Sequence, residues 1–206
     1  MKKSVSLKLI IFSFLLAAGS VAYSAPEFQA GTGTDSTIAG VGNEASKAYS
    51  SAFGNQNKAS GEISSAFGSN NKASGVYSSA FGFDNKATEN YSSAFGNQNK
   101  ASGRNSSAFG YNNAVTGTSS SAFGLSNTAT GMNSSAVGFN NTASGKYSSA
   151  VGNQNKASGD NSSAVGFNNA ATGMNSSAVG LSNTAILGSS AFGFNNTANG
   201  TNSSAF

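Results

Sequence analysis

The stretch Ser50–Gly61, which reads SSAFGNQNKASG, decides the fold because nearly every later segment repeats its pattern. A serine pair followed by Ala and then by Phe or Val recurs every 14 residues, apart from one 13-residue step. With the first Ser of each unit as position 1, position 5 is Gly and position 8 is Asn in all eleven complete units. The units begin at Ser50, Ser64, Ser78, Ser92, Ser106, Ser120, Ser134, Ser148, Ser162, Ser176, Ser189 and Ser203. A short fixed period is typical of stacked repeat arrays such as solenoids.

The composition of each unit predicts two short strands joined by tight turns. A helix is disfavoured because each interior glycine would cost up to about 1 kcal/mol. We expect strands at positions 1–4 and 9–11, with Gly at positions 5 and 12 and Asn at position 8 supplying positive φ in the turns. Stacked coils would lie about 4.8 Å apart, so the position-8 asparagines, from Asn57 to Asn196, should form a side-chain ladder. The predicted fold is an all-β, parallel β-roll or β-solenoid of 14-residue coils.

Alternation along each strand separates the apolar residues into an interior set and an exterior set. Ala at positions 3 and 10 is small enough to fill a narrow coil, whereas Phe or Val at position 4 should project outward. This position-4 stripe consists of Phe53, Phe67, Phe81, Phe95, Phe109, Phe123, Val137, Val151, Val165, Val179 and Phe192. Position 6 is expected to extend it through Phe83, Tyr111, Leu125, Phe139, Phe167, Leu181 and Phe194. An exposed apolar stripe is typical of an interaction surface, so we predict self-association along it.

The N-terminal residues predict secretion. Residues 1–24 combine Lys2 and Lys3 with an apolar run from Leu7 to Ala18, and small residues precede a cleavage site before Ala25. These features indicate a signal peptide. The alternative of a membrane anchor is disfavoured because the run is shorter than the ~20 residues of a spanning helix.

The rest of the chain divides into a lead-in and the repeats. Residues 25–49 are expected to form a short lead-in followed by a degenerate capping coil, in which Ala39 stands at the Phe position. Atypical terminal units are expected in stacked arrays. Residues 50–206 carry the repeats themselves.

Composition argues against several classes of function. The chain has no Cys and no His, which removes thiol chemistry, the usual zinc sites and the common neutral-pH general base. Without the three lysines of the predicted leader, eight basic residues face seven acidic ones, and this balance does not support nucleic-acid binding. The carboxylates occupy unlike positions in the repeat. No catalytic residues, metal site or cofactor are therefore predicted, and the chain is not expected to be an enzyme.

Lysine recurs at position 9 of five units, namely Lys58, Lys72, Lys86, Lys100 and Lys156. The first four form either a basic ladder that docks an acidic ligand or a solvated face copied with the repeats. Identical GNQNKASG segments begin at Gly54, Gly96 and Gly152, which indicates duplication. Because stacked like charges are mildly unfavourable, the sequence favours the solvated face, and the ligand-binding residues stay unknown.

The pattern SSAFGxxNxASG resembles the head repeat of trimeric autotransporter adhesins, whose unit reads roughly SVAIGxxAxAxG. Residues 50–54 match its opening, with Ser for Val and Phe for Ile, and Ala59 and Gly61 match its later Ala and Gly. The resemblance runs from about residue 36 to residue 206. It implies a left-handed β-roll that forms a homotrimer at the tip of a surface fibre. The family's heads bind host matrix proteins or cell-surface receptors, or mediate autoaggregation.

The family's stalk and membrane anchor have no counterpart in this sequence, which stops in mid-strand at Phe206. We therefore expect a fragment or a truncated reading frame. Export across the inner membrane is predicted for this chain, and anchoring in the outer membrane for a full-length parent. Two other functions stay open, a purely structural spacer and a solenoid that binds ice or another crystal. The crystal-binding function needs a flat face of hydroxyl pairs, whereas Ser at positions 1 and 2 should point to opposite faces.

Overall fold

The computed structural model describes residues 28–206, which form a stack of coils built from two β-sheets. One sheet has 14 strands and the other 12, and successive coils contribute neighbouring strands to each sheet. The described residues form no helix, so none of them forms a helical membrane span. The prediction of an all-β parallel solenoid is confirmed. The predicted signal peptide lies outside the described residues.

Each coil contributes one long strand and one short strand. The long strands are Thr37–Val41, Ser51–Asn55, Ser65–Ser69, Ser79–Phe83, Ser93–Asn97, Ser107–Tyr111, Ser121–Leu125, Ser135–Phe139, Ser149–Asn153, Ser163–Phe167, Ser177–Leu181 and Ser190–Phe194, and Ser204–Ala205 continues this series. The short strands are Glu44–Ala45, Lys58–Ala59, Lys72–Ala73, Lys86–Ala87, Lys100–Ala101, Ala114–Val115, Thr128–Ala129, Thr142–Ala143, Lys156–Ala157, Ala170–Ala171, Thr184–Ala185 and Thr197–Ala198.

These bounds correct the predicted strands, because the long strand occupies positions 2–6 and the short strand only positions 9–10. The Ser at position 1 belongs instead to the preceding turn. In most coils its hydroxyl donates back to the carbonyl three residues earlier, as from Ser64 Oγ to Gly61 O at 2.7 Å. The long strand also continues through the Gly at position 5, which pairs with its equivalents above and below, as Gly96 does with Gly110.

The shortened coil keeps the register of the stack. Ser177 pairs with Ser190 across the 13-residue step, and the following positions pair in order. The turn that lost a residue bends through Leu187 and Gly188, with φ of 54° and 70°. The missing residue is therefore absorbed in an outer turn.

The N-terminal edge of the long-strand sheet is covered by a reversed strand. Gln29–Ala30 pairs antiparallel with the long strand Thr37–Val41. The ring of Phe28 lies edge-on to Phe53, with centroids 5.5 Å apart. Ala39 has no ring at the Phe position of that coil, so Phe28 provides the aromatic contact there. Because the covering strand runs antiparallel, the parallel stacking does not continue past this end.

The apolar core of the stack consists almost entirely of alanine. Ala at positions 3 and 10 is fully buried in every coil from Ala52 to Ala191, and Val115 is the one larger residue in these columns. The prediction that small residues fill the coil is confirmed. A core of alanines leaves the larger apolar side chains on the outer surface.

The turns reach positive φ at only one of the three predicted positions. Positive φ occurs at position 5, as predicted, for example in Gly54 (114°), but not at positions 8 and 12. It occurs instead at positions 7 and 14, as in Gln56 (54°) and Ile63 (53°). Gly is needed at position 12 for a different reason. A Cβ on Gly61 would overlap the carbonyl oxygen of Gly75 in the next coil.

Candidate interaction surfaces

A buried asparagine ladder fixes the turn that separates the two strands of each coil. The position-8 side chains, from Asn57 to Asn183, are essentially inaccessible to solvent. The Nδ2 of Asn99 donates to Asn85 Oδ1 at 3.0 Å, to Phe95 O at 2.9 Å and to Gly110 O at 2.7 Å. Each amide thus joins its own coil to the coils on both sides, and the predicted ladder is confirmed.

The ladder determines which residues of the turn face outward. With Asn at position 8 turned into the stack, the residues at positions 7 and 9 flank it on the surface. The Oδ1 of each ladder residue accepts the next coil's backbone N–H, as from Asn113 N at 3.1 Å. These side-chain bonds repeat in every coil, so positions 7 and 9 form straight columns along the stack.

The structure places the position-4 stripe on one line along the long-strand sheet. Phe53, Phe67, Phe81, Phe95, Phe109 and Phe123 form one continuous stack. Their consecutive ring centroids lie 4.7–5.1 Å apart, with ring planes inclined by 3–10°. The ring faces therefore cover one another, and the ring edges point toward solvent.

The same line continues through smaller residues. Val137, Val151, Val165 and Val179 follow the phenylalanines in register, and Phe192 resumes the aromatic series. No residue of the position-4 stripe is buried in the single chain. Two positions further along the strand, residues such as Phe139 (41% exposed) and Phe167 (45% exposed) widen the apolar surface. The result is a long apolar face that a single chain leaves in water.

A second aromatic column lies at position 14, and the sequence analysis missed it. Tyr77 and Tyr91 stack with centroids 5.3 Å apart, and each is about half exposed. Tyr49 and Tyr147 occupy the same position in other coils and are also exposed. All four have positive φ, which is uncommon for residues other than Gly, Asn and Asp. The sequence feature that could have predicted this column is the Tyr that directly precedes the serine pair in these units.

The serine pair does not provide a flat hydroxyl face. The position-1 Ser is buried in every coil from Ser50 to Ser189, whereas the position-2 Ser is half-buried on the outer side of the sheet. The expectation that the two hydroxyls point to opposite faces is confirmed. This arrangement removes the main support for an ice-binding surface.

Two of the position-9 lysines, Lys86 and Lys100, line a polar groove. Lys58 Nζ pairs with Glu44 Oε2 at 2.6 Å, and Lys86 Nζ pairs with Asp84 Oδ1 at 3.3 Å. A groove of about 360 Å³ runs between positions 7 and 9 of neighbouring coils. Its walls include Asp84, Lys86, Gln98, Lys100 and Asn112.

Residues 28–206 contain no cluster of three or more His, Cys, Asp or Glu side chains that could hold a metal ion. Within residues 28–206, the acidic residues that form ion pairs, Glu44 and Asp84, each pair with a surface lysine. The described surfaces offer apolar contact, amide hydrogen bonds and exposed charge.

The sequence model of the YadA head domain repeat, which contains two copies of the repeat, matches residues 45–71, 59–85, 73–99, 87–113, 116–141, 143–169 and 187–206. The chain belongs to the YadA head domain repeat family. Successive YadA head matches begin 14 residues apart over the first coils, which is the coil period of the structure. A comparison with curated proteins gives no match.

The family indicates an adhesin-type, structural role and is not a known enzyme family. The YadA head repeats cover most of the stack, including the Phe and Val parts of the position-4 stripe. Residues 170–186, which the matches leave out, include most of the shortened coil at residues 176–188.

Proposed function

We propose that this chain is the head region of a trimeric bacterial surface adhesin, which attaches cells to host matrix proteins or cell-surface receptors or mediates autoaggregation. The observation that carries the proposal is the position-4 stripe, a straight apolar line with no buried member in the single chain. Membership of the YadA head domain repeat family supports the adhesin role.

The energetics of a single stack favour association. Full burial of a Phe side chain contributes about 1.5–3 kcal/mol, whereas the alanines of the interior bury far less apolar surface each. The stacked rings still expose their edges, so much of the available hydrophobic stabilisation is left unused. Further copies of the chain that pack against the position-4 stripe would cover these edges. The number three and a left-handed coil are inferred from the adhesin family.

Light scattering of the mature chain tests the assembly. We expect a mass three times that of one chain. The double variant Phe95→Ser, Phe109→Ser should shift the population toward monomer, because it places hydroxyls at the proposed interface. The matched control Tyr77→Ser, Tyr91→Ser removes a stacked aromatic pair that lies off the stripe, and it should stay trimeric. A monomeric wild-type chain would overturn the proposed interface.

Attachment is proposed to depend on many weak contacts. Identical coils on one rigid stack raise the effective concentration of each weak site for an extended partner. Solid-phase binding to collagen, to fibronectin and to epithelial cells would measure it. Deletion of the gene should reduce binding or clumping of the producing cells. Unchanged binding and clumping would argue against an adhesin.

Export and surface display form part of the same proposal. The predicted signal peptide of residues 1–24 would direct the chain across the inner membrane, and surface anchoring would require the family's stalk and anchor. No enzymatic activity is proposed. Cell fractionation, with an antibody against the repeats, would locate the chain.

The uniformity of the coils supports a spacer as the second candidate function. Coils that contain GNQNKASG are identical over that segment and recur along the stack. If length alone matters, removal of three whole coils should preserve binding but reduce the distance over which cells attach. Loss of binding in that variant would instead show that the removed surface contacts the ligand.

A further inference from the structure

The lysines at position 9 form a straight row over four consecutive coils. Lys58, Lys72, Lys86 and Lys100 are direct partners in the short-strand sheet, and each is exposed. Neighbouring members are separated by one strand spacing, about 4.8 Å. Lys156 has the same position in a distant coil, but its sheet neighbours are Thr142 and Ala170.

The ion pairs of this row alternate. Lys58 pairs with Glu44, and Lys86 pairs with Asp84. Within residues 28–206, no carboxylate lies within ion-pair distance of Lys72 or Lys100. The alternation reduces the charge repulsion along the row. That repulsion was the reason for favouring a solvated face over a ligand-binding ladder. It also leaves two free ammonium groups two coils apart, a spacing of about 10 Å along the stack.

The groove beside the row adds hydrogen-bond donors to the free charges. Gln98 and Asn112 project at position 7, and Lys86 and Lys100 project at position 9. The buried amides of Asn99 and Asn113 form the floor between these two columns. Because the columns run along the stack, the groove suits a linear ligand that extends across several coils.

We infer that this groove and the adjoining lysine row bind a linear sulfated polysaccharide. Its main charge contacts are Lys100 in the groove wall and Lys72, which pairs with Lys86 in the short-strand sheet one coil beyond the groove. A sulfate group offers several acceptor oxygens, so it can accept from an ammonium and from a neighbouring side-chain amide at once. The inference deepens the proposed function, since such a polymer would be the host ligand of the adhesin.

Nucleic acid fits the groove less well. Proteins that bind single strands use aromatic side chains on which the bases stack, and no aromatic residue lines the groove. Duplex binding depends on extensive neutralisation of phosphates, whereas two of the four lysines are already paired with carboxylates. The tyrosines of position 14 belong to a different turn of the coil.

Binding of the mature chain to immobilised heparin tests the inference. We expect binding that weakens as salt is raised. Lys72→Gln and Lys100→Gln should each weaken it about two- to fivefold, as expected for loss of one exposed charge contact. The double variant should weaken it by roughly the product of the two effects. Asp84→Asn should strengthen binding, because it frees Lys86.

The matched control is Lys156→Gln, which removes an equal charge from the same position outside the row and should leave heparin affinity unchanged. The three lysine positions are exposed and Asp84 is half-buried, and unchanged circular dichroism would show that the variants fold. Equal losses in the control and in the two row variants would overturn the inference, as would a failure to bind heparin. Equal affinity for hyaluronate would overturn the requirement for sulfate, and tighter binding of DNA would overturn the choice of polysaccharide.

Adhesion assays separate this inference from the proposed function. Cells whose sulfated polysaccharides have been removed by enzymatic digestion should bind the wild-type chain less, and the double Lys variant should bind equally to digested and undigested cells. If the wild-type chain adheres equally to both, the inference fails while the adhesin function stands. If it adheres to no cell or matrix protein but still binds heparin, the proposed function fails while the groove is confirmed as a polysaccharide site.

Discussion

Substitution of a single ladder asparagine, Asn99→Ala, should destabilise the whole stack. The wild-type side chain donates from Nδ2 to three oxygens, namely Asn85 Oδ1 at 3.0 Å, Phe95 O at 2.9 Å and Gly110 O at 2.7 Å. Its Oδ1 accepts from Asn113 N at 3.1 Å and Asn113 Nδ2 at 3.0 Å. Alanine removes all five contacts and leaves buried polar partners without replacement.

The expected loss follows from the net contribution of a hydrogen bond to stability, about 0.5–1.5 kcal/mol each, or about 2.5–7.5 kcal/mol for the five contacts. For a chain of this size each kcal/mol lowers the melting temperature by about 2–4 °C, so the expected decrease is on the order of 10 °C. Because each repeat is stabilised by its neighbours, the break should also reduce cooperativity and separate the coils on its two sides. Circular dichroism during heating and urea titration would measure both effects.

The matched control is Asn196→Ala at the end of the ladder. The Asn196 side chain makes one described hydrogen bond, from Nδ2 to Phe192 O at 2.6 Å. Its backbone N–H, which donates to Asn183 Oδ1, is retained in alanine. This control should cost about 1 kcal/mol. If Asn99→Ala and Asn196→Ala melt at the same temperature, the ladder does not hold the coils together and the reasoning is refuted.

Three further predictions concern the backbone and the core. Gly61→Ala should destabilise by at least about 1–3 kcal/mol because its Cβ would overlap the next coil, whereas Gly200→Ala, with the nearest atom at 3.4 Å, should be nearly neutral; equal urea midpoints would contradict this. Ile63→Asn should stabilise by about 0.5–1 kcal/mol, since a β-branched residue has φ of 53° there, and the reverse change Asn133→Ile should destabilise by a similar amount; a lower melting temperature for Ile63→Asn would show that side-chain contacts outweigh the backbone term. Val115→Ala should cost about 1–3 kcal/mol by leaving a cavity among alanines, and an unchanged unfolding midpoint would indicate that the coil collapses around it.

The repeat period predicted the fold because each coil must place equal residues above one another. The interior alanines and the asparagine ladder follow from that requirement, since only small or mutually bonded side chains fit a narrow coil. The period does not fix where a strand begins. Ser at position 1 looks like a strand residue, but its hydroxyl closes the preceding turn, as Ser64 does with Gly61. The strand therefore starts one residue later than predicted.

The roles of the turn residues were less predictable. A glycine can be required either for its positive φ or for its lack of a side chain, and the sequence does not distinguish these two requirements. At position 5 Gly provides positive φ, with 114° at Gly54, whereas at position 12 it provides room for the neighbouring backbone. The left-handed residues at positions 7 and 14 are often not glycine, as in Gln56 and Ile63. The groove beside the lysines could not be predicted from the sequence either. Its position depends on which residues of the turn face solvent once the Asn side chains are buried.

Within each coil, some positions hold the stack together and others only face outward, and this separation explains how one stack can carry different surfaces. Buried serines, alanines and asparagines, together with the glycines, occupy the positions that the stack itself requires, and these hardly change from coil to coil. The outward positions are under no such constraint. Position 9 is Lys in the early coils but Thr or Ala in most later ones, and position 4 changes from Phe123 to Val137 without a change in register. A new contact can therefore be acquired by altering one outward column over a few coils, because the hydrogen bonds that hold the stack lie elsewhere.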